Sequence, residues 1–144
     1  DFHRCCDNKG PTITIIRSTN GWLFGGFNAG SWASPTKYYY GEYKTLSEWN
    51  NQPSCFIFTL SNPHGIPPTM FKCIKPEKPA YNHADYGPTF GYGHDIHIVD
   101  NCNQNTSSYT NLPDSYEDTT GKGQALFTGD RNFQVSEIEV FSLN

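Results

Sequence analysis

The sequence predicts an all-β domain, built as a two-sheet antiparallel β-sandwich with minor short helices. Three observations carry that expectation. Short runs rich in β-branched and aromatic residues recur along the chain, each bounded by Gly, Pro, Asn or Ser clusters. Asn20-Gly21 separates two such runs and is the strongest short-range hairpin signal. No stretch of useful length repeats apolar residues at helical spacing, and neither heptads nor a long repeat is present. Many short strands joined by Gly/Pro turns favour a sandwich over other β architectures.

Taken in order, Asp7-Asn8-Lys9-Gly10 is turn chemistry ahead of a β-branched strand expected over 12–18. The Asn20-Gly21 turn returns the chain as a second strand over 22–27, antiparallel to the first. That strand contains Gly25-Gly26, which lose packing and add entropy cost, so something must approach their backbone closely. Residues 29–54 show no sustained period and are expected to form a long, partly ordered loop. Residues 55–60 read as a buried strand, 61–68 break it with three prolines and a glycine, and 69–74 return as its partner. In that hairpin Cys55 falls nearly opposite Cys73, and a Cys55–Cys73 disulfide is expected in an oxidising compartment. Thr89-Phe90 is a short strand, and 95–99 alternates polar and apolar residues. Residues 100–125 are a polar segment. Residues 132–141 have the cleanest period of two, except that parity slips between Val135 and Ile138. A bulge near Ser136 would repair the slip.

The chain has 144 residues, which suits one domain spanning 1–144. Its net charge is -4, and its lysines are scattered, so no nucleic-acid partner is expected. No run of apolar residues is long enough to span a membrane as a helix. The sequence begins at Asp1, as expected of a processed protein or an excised domain. Only 17% of residues are charged against ~25% in an average soluble domain. Aromatics and small polar residues take their place, as they do in extracellular binding modules.

The candidate chemistry is sparse. Five cysteines are present without a C-x-x-C pair, so no metal or other cofactor is expected. The odd count leaves at least one thiol free or paired with another chain, and a homo-oligomer is allowed. His94 and His97 are three apart, which places them on opposite faces of a strand, and a metal would need His83 or Asp95 as well. Ordinary hydrogen-bonded histidines are the expected reading. Glu137 and Glu139 share one strand face at a separation that could serve glycoside hydrolysis, but a solvated face is the simpler expectation. With no nucleophile motif and no phosphate loop, an enzyme is not expected. Asp100-Asn-Cys-Asn-Gln-Asn105 is a dense polar loop whose amides and carboxylate suit sugar hydroxyls, and Asn105-Thr-Ser107 is a glycosylation acceptor if the chain is secreted.

Several of these stretches together resemble the TLDc domain (TBC, LysM-associated). They are Phe2-His3, Cys6-Asp-Asn-Lys-Gly-Pro-Thr12, Leu23-Phe-Gly-Gly-Phe27 and Trp32, then Phe56-Ile-Phe-Thr-Leu60 and Gly87-Pro-Thr-Phe-Gly91. His94-Asp95, Asp100-Asn101 and Glu137-Ile-Glu-Val-Phe141 complete the order. The resemblance implies a two-sheet sandwich without established catalytic residues. It also implies an association with protection against oxidative damage and, for some members, binding to the vacuolar proton pump. On this view the glycines let aromatic rings and backbone pack closely between sheets. The chain starts at the Phe-His motif, without the segment that precedes it in the family. The extra cysteines and the low surface charge suggest a secreted, free-standing version of the domain, with a cytoplasmic one as the alternative.

The leading expectation from sequence is therefore a secreted, non-catalytic domain that binds carbohydrate in the manner of a lectin. Trp32 and Tyr92 are the expected aromatic platform, and His94, Asp95, Asp100, Asn101 and Asn103 the hydrogen-bonding groups. The alternative is an oxidation-resistance module that works by protein–protein contact, for example with the vacuolar proton pump.

Overall fold

The first hairpin sets the frame. In the computed structural model, which describes residues 2–35 and 55–143, strands β1 (Thr12–Ser18) and β2 (Leu23–Asn28) pair antiparallel. They are joined through Gly21, whose φ of 91° suits glycine at the turn. Strand β2 pairs with β3 (Phe56–Ser61), and β3 with β4 (Thr69–Lys72). On the other side of β1 lies β9 (Val135–Ser142), giving a five-stranded sheet in the order β4-β3-β2-β1-β9. The second sheet is β5-β6-β7-β8, formed by Tyr86–Phe90, Ile96–Val99, Ser108–Tyr109 and Asn132–Phe133. A five-residue helix α1 (Phe2–Cys6) precedes β1, and a 3-10 turn occupies Gly123–Ala125. The expected antiparallel β-sandwich with little helix is what the chain forms.

The inner faces follow from strand parity. Ile16, Phe24, Ile57 and Phe71 from the large sheet meet Phe90, Ile96, Ile98 and Phe133 from the small one, all nearly or fully buried. Phe24 stacks on Phe127 at 4.8 Å and stands edge-on to Phe133 at 5.2 Å. The glycine pair sits in the middle of this packing. A Cβ on Gly26 would lie 2.6 Å from the Phe90 ring, and one on Gly25 would collide with the Thr14 carbonyl. Close approach of the two sheets thus excludes a side chain at Gly26, and the neighbouring strands of its own sheet exclude one at Gly25.

The parity slip in the last strand is resolved by a bulge. Arg17 pairs with Glu137 and Ser18 with Val135, which leaves Ser136 as the extra residue. Its hydroxyl donates to the carbonyls of Arg17 and Ser18, at 3.1 and 3.3 Å.

The expected Cys55–Cys73 disulfide is absent, and all five cysteines are reduced thiols. The β3–β4 register, with Phe56 opposite Lys72, does bring the two positions across from each other. The Cys55 sulfur, however, is turned to β2. It accepts the Ala29 N–H at 3.3 Å and lies 3.9 Å from the Asn28 side-chain oxygen. The Cys73 backbone pairs with Tyr116 in an isolated antiparallel bridge, and burial pushes its thiol up to about 12. No helix among the described residues is long and apolar enough to cross a membrane.

Candidate functional site

Trp32 positions one wall of the main surface groove. Its indole is fully buried, edge-on to Phe90 at 5.3 Å on one side and to Phe2 of α1 at 5.3 Å on the other. Its Nε1–H donates to the Thr12 hydroxyl at 3.1 Å. The backbone continues the tie, because Asp7 forms a parallel bridge to Trp32 and the Asn8 N–H donates to the Trp32 carbonyl. Within α1 the His3 ring meets the Asp7 carboxylate at 2.7 Å. A helix of five residues has no stability of its own. Trp32 and these contacts hold it beside β9.

Between α1 and β9 runs an apolar groove of about 510 Å³, lined by Phe2, Cys5, Cys6, Lys9, Thr12, Ile138, Val140 and Ser142. Burial raises the Cys6 thiol, so it is an apolar wall here rather than a nucleophile. A second, polar cleft of about 350 Å³ shares Phe2 and Ile138 with the first. Its far wall is Tyr86, Gly87 and Pro88 of β5, and its rim is Asp85, Asp100, Asn101 and Asn103. The rim loop is tied to β9. The Val135 N–H donates to the Cys102 carbonyl at 3.0 Å, and the Gln134 amide to the Asn103 carbonyl at 2.7 Å. Asn105 holds the loop closed by donating to the Asn101 carbonyl and accepting the Ser107 N–H.

The residues expected to bind sugar fall into separate environments. Asp100, Asn101 and Asn103 do come together on the cleft rim, with Asn101 at a φ of 53°. Trp32 presents no face to solvent and is a core pillar, which corrects its expected role as a platform. Asp95 is also fully buried. Its carboxylate accepts the N–H groups of Asp114, Ser115 and Tyr116 at 2.8 to 3.1 Å, and so fixes that segment against β6. Burial outweighs these donors and raises its pKa to about 6. Tyr92 is exposed but lines neither groove nor cleft, with the Lys78 ammonium over its ring at 4.0 Å.

His94 belongs to a wall of rings on the outer face of the small sheet. It stacks on His97 at 4.6 Å, nearly parallel, and its Nδ1 meets the Tyr109 hydroxyl at 2.7 Å. Tyr86 stands edge-on to His97 at 4.6 Å, and the Thr89 hydroxyl meets His97 Nδ1 at 3.0 Å. Burial drives the His97 pKa down to about 3 and lowers that of His94. These rings face each other in a stack, and no group of three metal-ligating side chains is present among the described residues. Strand parity alone misses the pair, because His94 lies in the turn before β6 at a φ of 63° and folds back over the strand.

The sequence profile of the TLDc domain matches residues 1–144 in full. The chain belongs to the TLDc domain family. A stretch of 55 residues in this TLDc domain is also 27% identical to the MTOR-associated protein MEAK7 of Danio rerio. The match covers 38% of the present chain and only 10% of that relative.

Sequence reasoning did not single out the groove itself. Its signal was partly visible in the alternation of Ile138 and Val140 with Glu137 and Glu139 along one strand. What the sequence did not show is that α1 would stand opposite Ile138 and Val140 and leave space between.

Proposed function

We propose that this TLDc domain works by protein–protein contact, through the groove between α1 and β9 and the polar cleft that adjoins it. The observation that carries this reading is the groove's construction. An apolar channel with a polar rim runs beside a sheet edge, as binding surfaces for extended or amphipathic protein segments do. The zebrafish relative is named for its association with another protein, which supports a contact role. The carbohydrate reading loses its support where Trp32 is buried and Asp95 is occupied by backbone donors.

The vacuolar proton pump is the partner to test, because the family resemblance implies it for some members. Binding of the wild-type domain and of Val140→Asp to purified pump peripheral subunits, measured by interferometry, is set against a broad glycan array. The expected result is saturable binding to the pump, lost at least tenfold in Val140→Asp as roughly expected for a charge placed in an apolar contact, with a silent array. Sugar binding that Val140→Asp leaves intact overturns the reading.

A further inference from the structure

The edges of the two sheets are unequally protected. β4 has four residues and follows Pro67-Pro68, β8 has two residues, and β5 contains Pro88 and is bridged at Phe90 by Ala80. Short strands, prolines and covering segments are the usual protections against edge pairing. β9 differs. It has eight residues and no proline, and it has a neighbour on one side only among the described strands. Its bulge is confined to Ser136 at the start, leaving 137–142 regular. Beneath that open edge lies the apolar groove, into which Ile138 and Val140 face. On the opposite face Glu137 and Glu139 are exposed, with Arg17 of β1 across from Glu137; neither glutamate is in ion-pair contact among the described residues, and Glu139, opposite Ile15, has no basic residue across from it in β1.

We infer that β9 accepts an additional strand from a partner protein, an extended segment in which apolar residues alternate with Lys or Arg. The inference rests on the protein-contact reading and specifies how the contact is made. Strand addition satisfies the open backbone groups of β9. The period of two then sends every second side chain of the incoming strand into the groove and the others to the face of Glu137 and Glu139. Opposite charges directly across strands attract, and like charges repel, so basic residues belong at those positions. The same rule disfavours a second copy of this chain as occupant. Antiparallel β9–β9 pairing centred on Ile138 sets Glu137 of each copy against Glu139 of the other. Centring it on either glutamate sets that residue against itself, and the register centred on Val140, which avoids both clashes, pairs only residues 138–142 of the strand. The acidic rim, with Asp85 and Asp100 on the adjoining cleft, extends the complementarity to a basic segment.

The test uses capped peptides matched to the eight residues of β9, with alternating Val and Lys, against the whole chain by fluorescence anisotropy. A Val/Glu peptide is the charge control. Single N-methyl groups are walked along the Val/Lys peptide, because methylation removes the N–H at every position but costs a strand hydrogen bond only where that N–H points to β9. The expected result is binding that is lost for N-methylation at one parity and retained at the other. In the Glu137→Lys/Glu139→Lys variant, preference moves by about tenfold from the Lys to the Glu peptide at low salt. Absence of Val/Lys binding, equal loss at both parities, equal binding of the Glu peptide, or a wild-type chain already dimeric through β9 overturns the inference. If one of these peptide results is found while pump binding persists and is still lost in Val140→Asp, the contact reading stands and strand addition falls.

Discussion

Replacing Trp32 separates a core pillar from a binding platform, because the two roles predict opposite consequences. The indole is fully buried, edge-on to two aromatic rings, with its N–H on the Thr12 hydroxyl. Truncating such a side chain to Ala costs about 3–5 kcal/mol. The orphaned Thr12 hydroxyl, itself in a residue only 1% exposed, takes Trp32→Ala to the upper end of that range, about 5 kcal/mol. Trp32→Phe keeps a ring between Phe2 and Phe90 and loses mainly the hydrogen bond, for about 1–2 kcal/mol. Guanidinium unfolding at neutral pH measures both. Amide exchange at residues 3–8 reads the second consequence, because α1 is held by Trp32 and should open in Trp32→Ala before the sheets do. Stability of Trp32→Ala within about 1 kcal/mol of wild type, with α1 still protected, would refute the packing argument.

Gly26→Ala brings a methyl group to 2.6 Å from the Phe90 ring, between sheets that cannot separate locally. It should cost about 1–3 kcal/mol in thermal or chemical unfolding, and a neutral result would show that the sheets yield. The His97 pKa is depressed from 6.5 to about 3, so between those values the unfolded chain binds a proton that the folded chain does not. Stability present above pH 6.5 is therefore lost as the pH falls, by up to about 5 kcal/mol at roughly 1.4 kcal/mol per pH unit. Asp95, raised from 3.8 to about 6, acts in the opposite sense. Its contribution is complete below 3.8 and disappears as the pH rises through 6, which makes the acid limb shallower. Guanidinium midpoints against pH should flatten in His97→Gln, and a curve parallel to wild type contradicts the assignment. Thiol titration under denaturing, non-reducing conditions should find all five cysteines reactive, whereas three would indicate a disulfide.

The strands were legible because period two and turn chemistry are local properties. Ser136 could be located from the parity slip alone, and Asn20-Gly21 fixed the first hairpin. The two-residue strand β7 was not legible, since so few residues carry no periodicity, and β8 was read as the start of the 132–141 strand although it pairs with β7 in the other sheet. Trp32 and Asp95 were misread for a common reason. An aromatic ring beside glycines, or an acid before a strand, has the chemistry of a binding group and of a buried structural group alike. Long-range packing against Phe2 and Phe90, and the return of residues 114–116, decide between them. Cys55 and Cys73 show the same limit at shorter range, because register brought them opposite while side-chain direction kept them unbridged. The groove depends on where α1 lies, and that is set by contacts to Trp32 that the sequence order does not reveal.

Amide exchange of the domain in complex with pump peripheral subunits tests the central claim most directly. Protection concentrated at 137–142 and 2–6, flanking the groove, is the predicted footprint. Protection on the outer face of the small sheet, around Tyr86, His97 and Tyr109, with β9 unchanged, would contradict the account.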